Sequence, residues 1–291
     1  MNWSSDSALT RRMALALLLT LLGYVVILGP LVWLLPWQAG LVLVGVVVAV
    51  VGTLALQADR LAYLVTRAIA IERSDYPELF DTVDRLASQA DIPRPPIAVI
   101  PTDEPNALSA GTGNRTVVCV TLGLLKELDG EEREAVLAHE LAHLKNGDSS
   151  VLTVAGFPAT VALGALGAAL DSMNGMAFFL GYLGVAMALA FVSFLLVLVT
   201  LPGTLVLSRY REYAADRGAV AITGDPAALA RALGELHGAS GPPETDMRLS
   251  AGFSAFCIVT AGYGSLPIPW THPPTAERIR RLRELTAEME S

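Results

Sequence analysis

Long apolar runs alternate with polar, patterned stretches along the chain. From Met13 to Ala58 there is no Asp, Glu, Lys or Arg. Those 46 residues suffice for two membrane-spanning helices of about 20 residues each. The run breaks at Leu35-Pro36-Trp37-Gln38-Ala39-Gly40, where Pro and Gly mark a turn. Trp33 and Trp37 fall where an aromatic belt meets the membrane boundary. A signal peptide fits poorly, because the run is too long and lacks a small-residue cleavage site. Residues 149–170 and 172–208 are again uncharged, with Asp171 between them. They predict a second hairpin turning near 171–175, with a buried core hairpin as the alternative reading.

The polar stretches carry shorter periods. Ser74 to Ala90 repeats Leu79, Val83 and Leu86 on one face, with Pro77 in the first turn, and predicts an amphipathic helix. Ile97–Ile100 and Thr116–Val120 read as strands, separated by the Gly- and Ser-rich stretch 106–113. Leu122–Leu128 predicts a short helix. Val136 to Asp148 predicts a longer one, capped by Asp129 or Gly130, with Leu137, Leu141 and Leu144 as its apolar stripe. Asp225–His237 and a charged segment after Thr275 predict two more helices. Residues 251–263 are apolar and small and suggest no element. This divides the chain into a hairpin (1–58), a polar part (59–148), a second hairpin (149–207) and a polar C-terminal part (208–291). The fold class is a mainly α membrane protein with four transmembrane helices and an α+β domain holding a small β-sheet.

Composition sharpens this. Hydrophobic residues make up 53% and charged ones 16%, and the mean hydropathy is +0.51. That balance points to a membrane protein. A net charge of -8 without a basic cluster excludes nucleic acid as partner. The two cysteines, Cys119 and Cys257, form no C-x-x-C, so free thiols in a reducing compartment are expected. Arg11, Arg12, Arg60, Arg67, Arg73, Lys145, Arg209 and Arg211 flank the apolar runs on one side, while both connecting turns lack Lys and Arg. The positive-inside rule then puts both termini and the polar parts in the cytoplasm, with a multi-pass anchor in the cell (inner) membrane.

The candidate chemistry lies in V-L-A-H-E-L-A-H-L-K-N-G-D, Val136 to Asp148. His139 and His143 are four apart, so one helical face can present both imidazoles to a single metal ion, and Glu140 is placed to act as a general base. A catalytic zinc takes three protein ligands and keeps a fourth position for water. Glu212, opening the E-x-x-x-D pair with Asp216 after the last apolar run, is the best third ligand. Asp216 is placed one turn on to accept the free N–H of His139. His272, fixed in extended conformation by Pro273, and Arg278 are candidate donors to a developing oxyanion, with a purely structural His272 the equal alternative. Asn106, Ala107, Leu108, Ser109, Ala110 and Gly111 are either a substrate-binding edge or a plain glycine-rich turn.

H-E-L-A-H-L-K-N-G-D followed by S-R-Y-R-E-Y-A-A-D resembles the HtpX group of membrane zinc metallopeptidases, gluzincins whose more distant relatives are the CAAX prenyl endopeptidases. Asn106–Gly111 resembles that family's N-A-x-x-x-G stretch, and His272-Pro273-Pro274 with Arg278-Ile279 resembles its H-P-P-x-x-x-R-I element. The resemblance covers about residues 75–150, 205–222 and 270–283. It implies a zincin-like metallopeptidase domain, one Zn2+ held by His139, His143 and Glu212, and Glu140 as base. It also implies cleavage of membrane or misfolded proteins from the cytoplasmic side, as in quality control. Protein or peptide substrates and the lipid bilayer are the partners this predicts; oligomeric state is not indicated. A narrow CAAX-type processing peptidase and a non-catalytic zinc scaffold are the other readings, and an intact Glu140 speaks against the scaffold.

Overall fold

The computed structural model describes residues 7–148, 150–151, 154–155, 183–239 and 273–290. The first apolar run forms α1 (Ser7–Leu34) and α2 (Trp37–Leu56). Pro36 precedes α2 and accepts the Gly40 N–H at 3.0 Å, so it starts that helix as its fixed φ allows. One face of each helix stays apolar and uncovered, with Leu18 62% and Val48 65% exposed, while Ala16, Thr20, Val51 and Ala55 are buried. Among the described residues, α2 is the one helix long and apolar enough to cross a membrane, and only 11% of it is buried. The third expected span falls largely in residues 156–182, outside the described residues.

A short helix, α3 (Ala58–Thr66), follows α2 directly, and the left-handed Arg67 ends it. Four strands make one mixed sheet: β1 (Ile69–Ala70), β2 (Ile97–Ile100), β3 (Ala107–Thr112) and β4 (Arg115–Thr121), in the order β1-β2-β4-β3. β2 runs parallel to β4, and β3 pairs antiparallel with β4 through a tight turn. The 106–113 stretch is therefore mostly strand, and β3 is the edge of the sheet. Side chains alternate between its faces as the pleat requires. Ile97, Val99, Ala107, Val118 and Val120 join the main core. Ala98, Ile100, Leu108, Ala110, Val117 and Cys119 face the other way, onto Ala62 and Tyr63 of α3. Both faces are covered, which is why β2 is buried at every position. Burial also pushes the Cys119 thiol up to about 12, so it stays an inert free thiol.

The predicted amphipathic helix is α4 (Pro77–Gln89), burying Leu79, Phe80, Val83, Leu86 and Ala87. After α5 (Leu122–Glu127) comes α6 (Gly130–Asn146), the central helix, whose residues from Ala135 to Leu144 are all buried. α7 (Leu183–Thr223) is one unbroken helix of 41 residues. Its first half is apolar and open, with Phe191 64% exposed, and its second half lies against α6. The sequence reading ends the apolar span near Leu207 and starts a new helix there. The helix instead runs on through Leu207 to Arg217, a stretch that holds neither Gly nor Pro. α8 (Pro226–Ala239) and α9 (Thr275–Glu290) pack against each other, and α8 also packs on α6. Leu86, Leu124, Leu137, Leu141, Leu229 and Leu282 fill the space between these helices and the sheet.

Gly111 shows how tightly the β3–β4 hairpin closes. Its φ is 98°, and a Cβ there would sit 1.9 Å from the Arg115 carbonyl oxygen. A Gly111→Ala variant must leave that backbone region and move β4, at a cost of at least about 1–3 kcal/mol. Thermal unfolding of the purified variant should show a clearly lowered midpoint.

Candidate metal centre

The site begins with the way α6 is held. Asp129 accepts the Glu132 N–H at 2.8 Å while the Glu132 side chain reaches back to the Asp129 N–H, a capping box that fixes the start of the helix. At the other end, left-handed Gly147 closes the last turn on the carbonyls of His143 and Leu144. The segment between is buried between sheet and α7, so its two histidines have one orientation available.

His139 and His143 sit one turn apart with ring centroids 4.6 Å from each other. Their Nε2 atoms face each other at 3.1 Å. Glu212 of α7 closes the triangle: Oε2 lies 3.6 Å from His139 Nε2 and Oε1 3.6 Å from His143 Nε2. A tetrahedral ion with bonds of about 2.0–2.1 Å sets its ligand atoms about 3.3 Å apart, so the two Nε2 atoms and one Glu212 oxygen fit one ion. The donor chemistry fits too. Each Nδ1 faces a carboxylate, Asp148 for His143 at 2.6 Å and Asp216 for His139 at 3.1 Å, the latter off the line of a hydrogen bond. Protons held there leave lone pairs on both Nε2 atoms, aimed at the same point. That is the arrangement a metal cation requires.

Charge gives the same answer. Glu140, Asp148, Glu212 and Asp216 are all buried, with Arg278 buried among them and Arg211 beside Glu212. Four formal negative charges against two positive ones leave room for a divalent cation. Arg278 donates through Nε to Asp216 Oδ2 at 2.9 Å and through Nη2 to Oδ1 at 2.6 Å, and its Nη1 lies 3.1 Å from Glu212 Oε2. Burial alone would raise the Asp216 pKa. The Arg278 guanidinium and the His139 ring outweigh burial and hold it at about 2. Burial opposes the Arg278 charge, but the carboxylates of Asp216 and Glu212 raise its pKa still higher. Burial and the charge of Arg211 push the His143 imidazole down, which keeps it neutral as a ligand must be. For His139, burial also pushes down, but the carboxylates of Asp216 and Glu212 prevail and raise it.

The structure thus brings together His139, Glu140, His143, Glu212 and Asp216. Arg278 is also present, but as a clamp: its three guanidinium nitrogens face Asp216 and Glu212, and an oxyanion would have to compete with both. His272 lies outside the described residues. Along β3, Ser109 donates to Glu140 Oε2 at 2.8 Å. Leu108 and Ala110 face away from α6, and the Asn106 side chain accepts the neighbouring Ala107 N–H at 2.9 Å. Two partners escaped the sequence reading. One is Asp148, the last residue of the motif stretch, which left-handed Gly147 turns back onto His143. The Gly-Asp pair closing the helix was its only signal. The other is the bond from Ser109 to Glu140, which depends on strand register and leaves no local signal.

Comparison with known proteins completes this picture. The profile of Peptidase family M48 matches residues 74–286, well over half of the chain. The chain belongs to peptidase family M48. Protease HtpX homolog from Moorella thermoacetica is 39% identical, the match covering 98% of this chain and 97% of the relative. Protease HtpX homolog 1 from Streptomyces coelicolor is 40% identical over 99% and 96%. Protease HtpX homolog 2 from Methanosarcina acetivorans is 38% identical over 99% of both. This M48 chain is therefore an HtpX-like metallopeptidase, a hydrolase of peptide bonds. The His-His-Glu cluster at its centre is the group among the described residues that could hold the metal.

Asp148 generates a prediction. Asp148→Asn keeps the shape but loses the negative charge on the His143 N–H, so metal affinity should fall about 10- to 100-fold. Titration with a competing chelator measures it. An affinity equal to wild type would show that Asp148 does not tune the site.

Proposed function

We propose that the protein is a zinc-dependent endopeptidase anchored in the cell membrane, cutting membrane or misfolded proteins on the cytoplasmic side as part of protein quality control. The observation that carries this is the convergence of His139, His143 and Glu212, with Glu140 adjacent and buried on the same helix. In this reading the two histidines and Glu212 hold the ion, and Asp216 and Asp148 orient the rings. Bound there, zinc supplies a Lewis acid that polarises a carbonyl and lowers the pKa of water. Glu140 takes a proton at its carboxylate and returns it to the leaving amine. Arg278 balances Glu212 and Asp216 and keeps their geometry.

The substrate docks extended along β3. The Thr121 N–H bonds the Asn106 carbonyl at 2.9 Å, and the pairing register continues from Ala107 with Val120 to Thr112 with Arg115. Hydrogen-bonded and open pairs alternate along an antiparallel ladder, so Leu108 and Ala110 face β4 and the backbones of Ala107, Ser109 and Gly111 face outward. A peptide strand added there lies beside Glu140. Anchoring rests on the open apolar faces of α1, α2 and the first half of α7, together with the lysines and arginines on one side of them. The N-terminal hairpin (1–58) and the segment 149–207 form the anchor, and 59–148 and 208–291 form the cytoplasmic peptidase.

Two experiments test this. Glu140→Gln should retain zinc and lose about 10² to 10⁴ in turnover of a model peptide, whereas Glu212→Ala should lose the zinc itself. Full zinc occupancy in Glu212→Ala, by metal analysis, would remove that residue from the ligand set. For topology, single cysteines at Gln38 and Arg115, both exposed, would be introduced in a background lacking Cys119 and Cys257. An impermeant thiol reagent on intact cells should reach the first and not the second. Labelling at 115 would reverse the orientation.

A further inference from the structure

Ser109 stands at a place no other β3 residue shares. Its backbone belongs to the outward-facing set, with Ala107 and Gly111. The Ala107 N–H is already taken by the Asn106 side chain, so Ser109 carries the first N–H of that set without a partner among the described residues. Its side chain points to the α6 face, where Oγ donates to Glu140 Oε2 at 2.8 Å. Both groups are buried, Ser109 8% and Glu140 5% exposed. Among the described residues this is the one side-chain hydrogen bond that Glu140 makes.

A glutamate has three rotatable side-chain bonds and no preferred direction of its own. Around Glu140 the pulls are uneven. Arg278 is near enough to feel its charge, and the carboxylates of Glu212 and Asp216 repel it. A charge-assisted hydrogen bond from a rigid strand is what can hold it against both. We propose that Ser109 is a positioning residue for the general base: its hydroxyl ties Oε2, leaves Oε1 to take the proton, and sets that orientation from the same residue whose backbone receives the substrate strand. This rests on Glu140 being the base. It gives β3 a second task besides docking, and explains why a polar side chain is buried at 109 between Leu108 and Ala110.

The test uses the full-length, zinc-loaded protein in detergent with a fluorogenic peptide. Loss of a hydrogen bond to a charged group predicts that Ser109→Ala lowers kcat about tenfold. KM, zinc per chain and unfolding temperature should stay at wild-type values. Ser109→Thr keeps a hydroxyl and should recover most of the rate. In a Glu140→Gln background Ser109→Ala should change neither the residual rate nor the Kd for the peptide, because the residue acts through the carboxylate. Should Ser109→Ala lose stability, Ser109→Cys, similar in size and a weak donor, must show the same fall in kcat. Wild-type kcat in Ser109→Ala, a loss that appears only in KM, or an equal loss in the Glu140→Gln background would each overturn the proposal. Wild-type turnover by Glu140→Gln alone would instead remove the base assignment, and this inference with it.

Discussion

The structure depends on keeping a knot of charge out of water. Glu140, His139, His143, Asp148, Glu212, Asp216 and Arg278 are each 5% exposed or less. An unpaired buried ion costs several kcal/mol even after relaxation, so such a knot persists only if every charge has a partner. Arg278 is the partner that reaches furthest. It comes from the last helix and grips two carboxylates of α7, one of which faces both histidines of α6. Three helices far apart in sequence are thereby tied at one point. The leucine core around them supplies the burial, and the ionic knot dictates which faces must meet.

The same point sits where the fold changes character. α7 carries open apolar faces up to Val206 and the charged knot from Glu212 onward, on one continuous helix. α6 reaches the site from the opposite direction and is capped by Gly147, with Asp148 between it and another uncharged run. The sheet adds the third wall, with β3 as its edge and Ser109 beneath the carboxylate of Glu140. The metal centre is thus built at the seam between open apolar helix faces and a folded polar part, and both contribute to it.

Local spacing made much of this readable in advance. The i, i+4 histidines, the E-x-x-x-D pair and the amphipathic α4 are patterns within one or two turns of a helix. Their placement follows from helical geometry alone. The short strands at 97 and 116 were legible because β-branched runs stand between turn residues. Arg278 stands out in the sequence, but its partner Asp216 lies 62 residues away, and the number of charges awaiting it could not be read from any local pattern. β1 has two residues and exists only by pairing with β2, so it left no trace. Asp148 escaped notice because one left-handed glycine redirects the chain, and a turn of that kind is settled by what it packs against.

The continuity of α7 makes the helix a ruler. Glu212 follows buried Leu207 by five helical steps, a rise of roughly 7–8 Å. If the apolar half is embedded in lipid, Glu212 rides at a fixed height above the hydrocarbon, set by covalent geometry and not by a flexible joint. Bilayer thickness then becomes a mechanical input. A thinner or thicker membrane tilts an apolar helix to match its length, and a tilt of this one lever shifts Glu212 relative to the histidines of α6. In such a bilayer the grip of the metal centre would act as a gauge of the membrane around it.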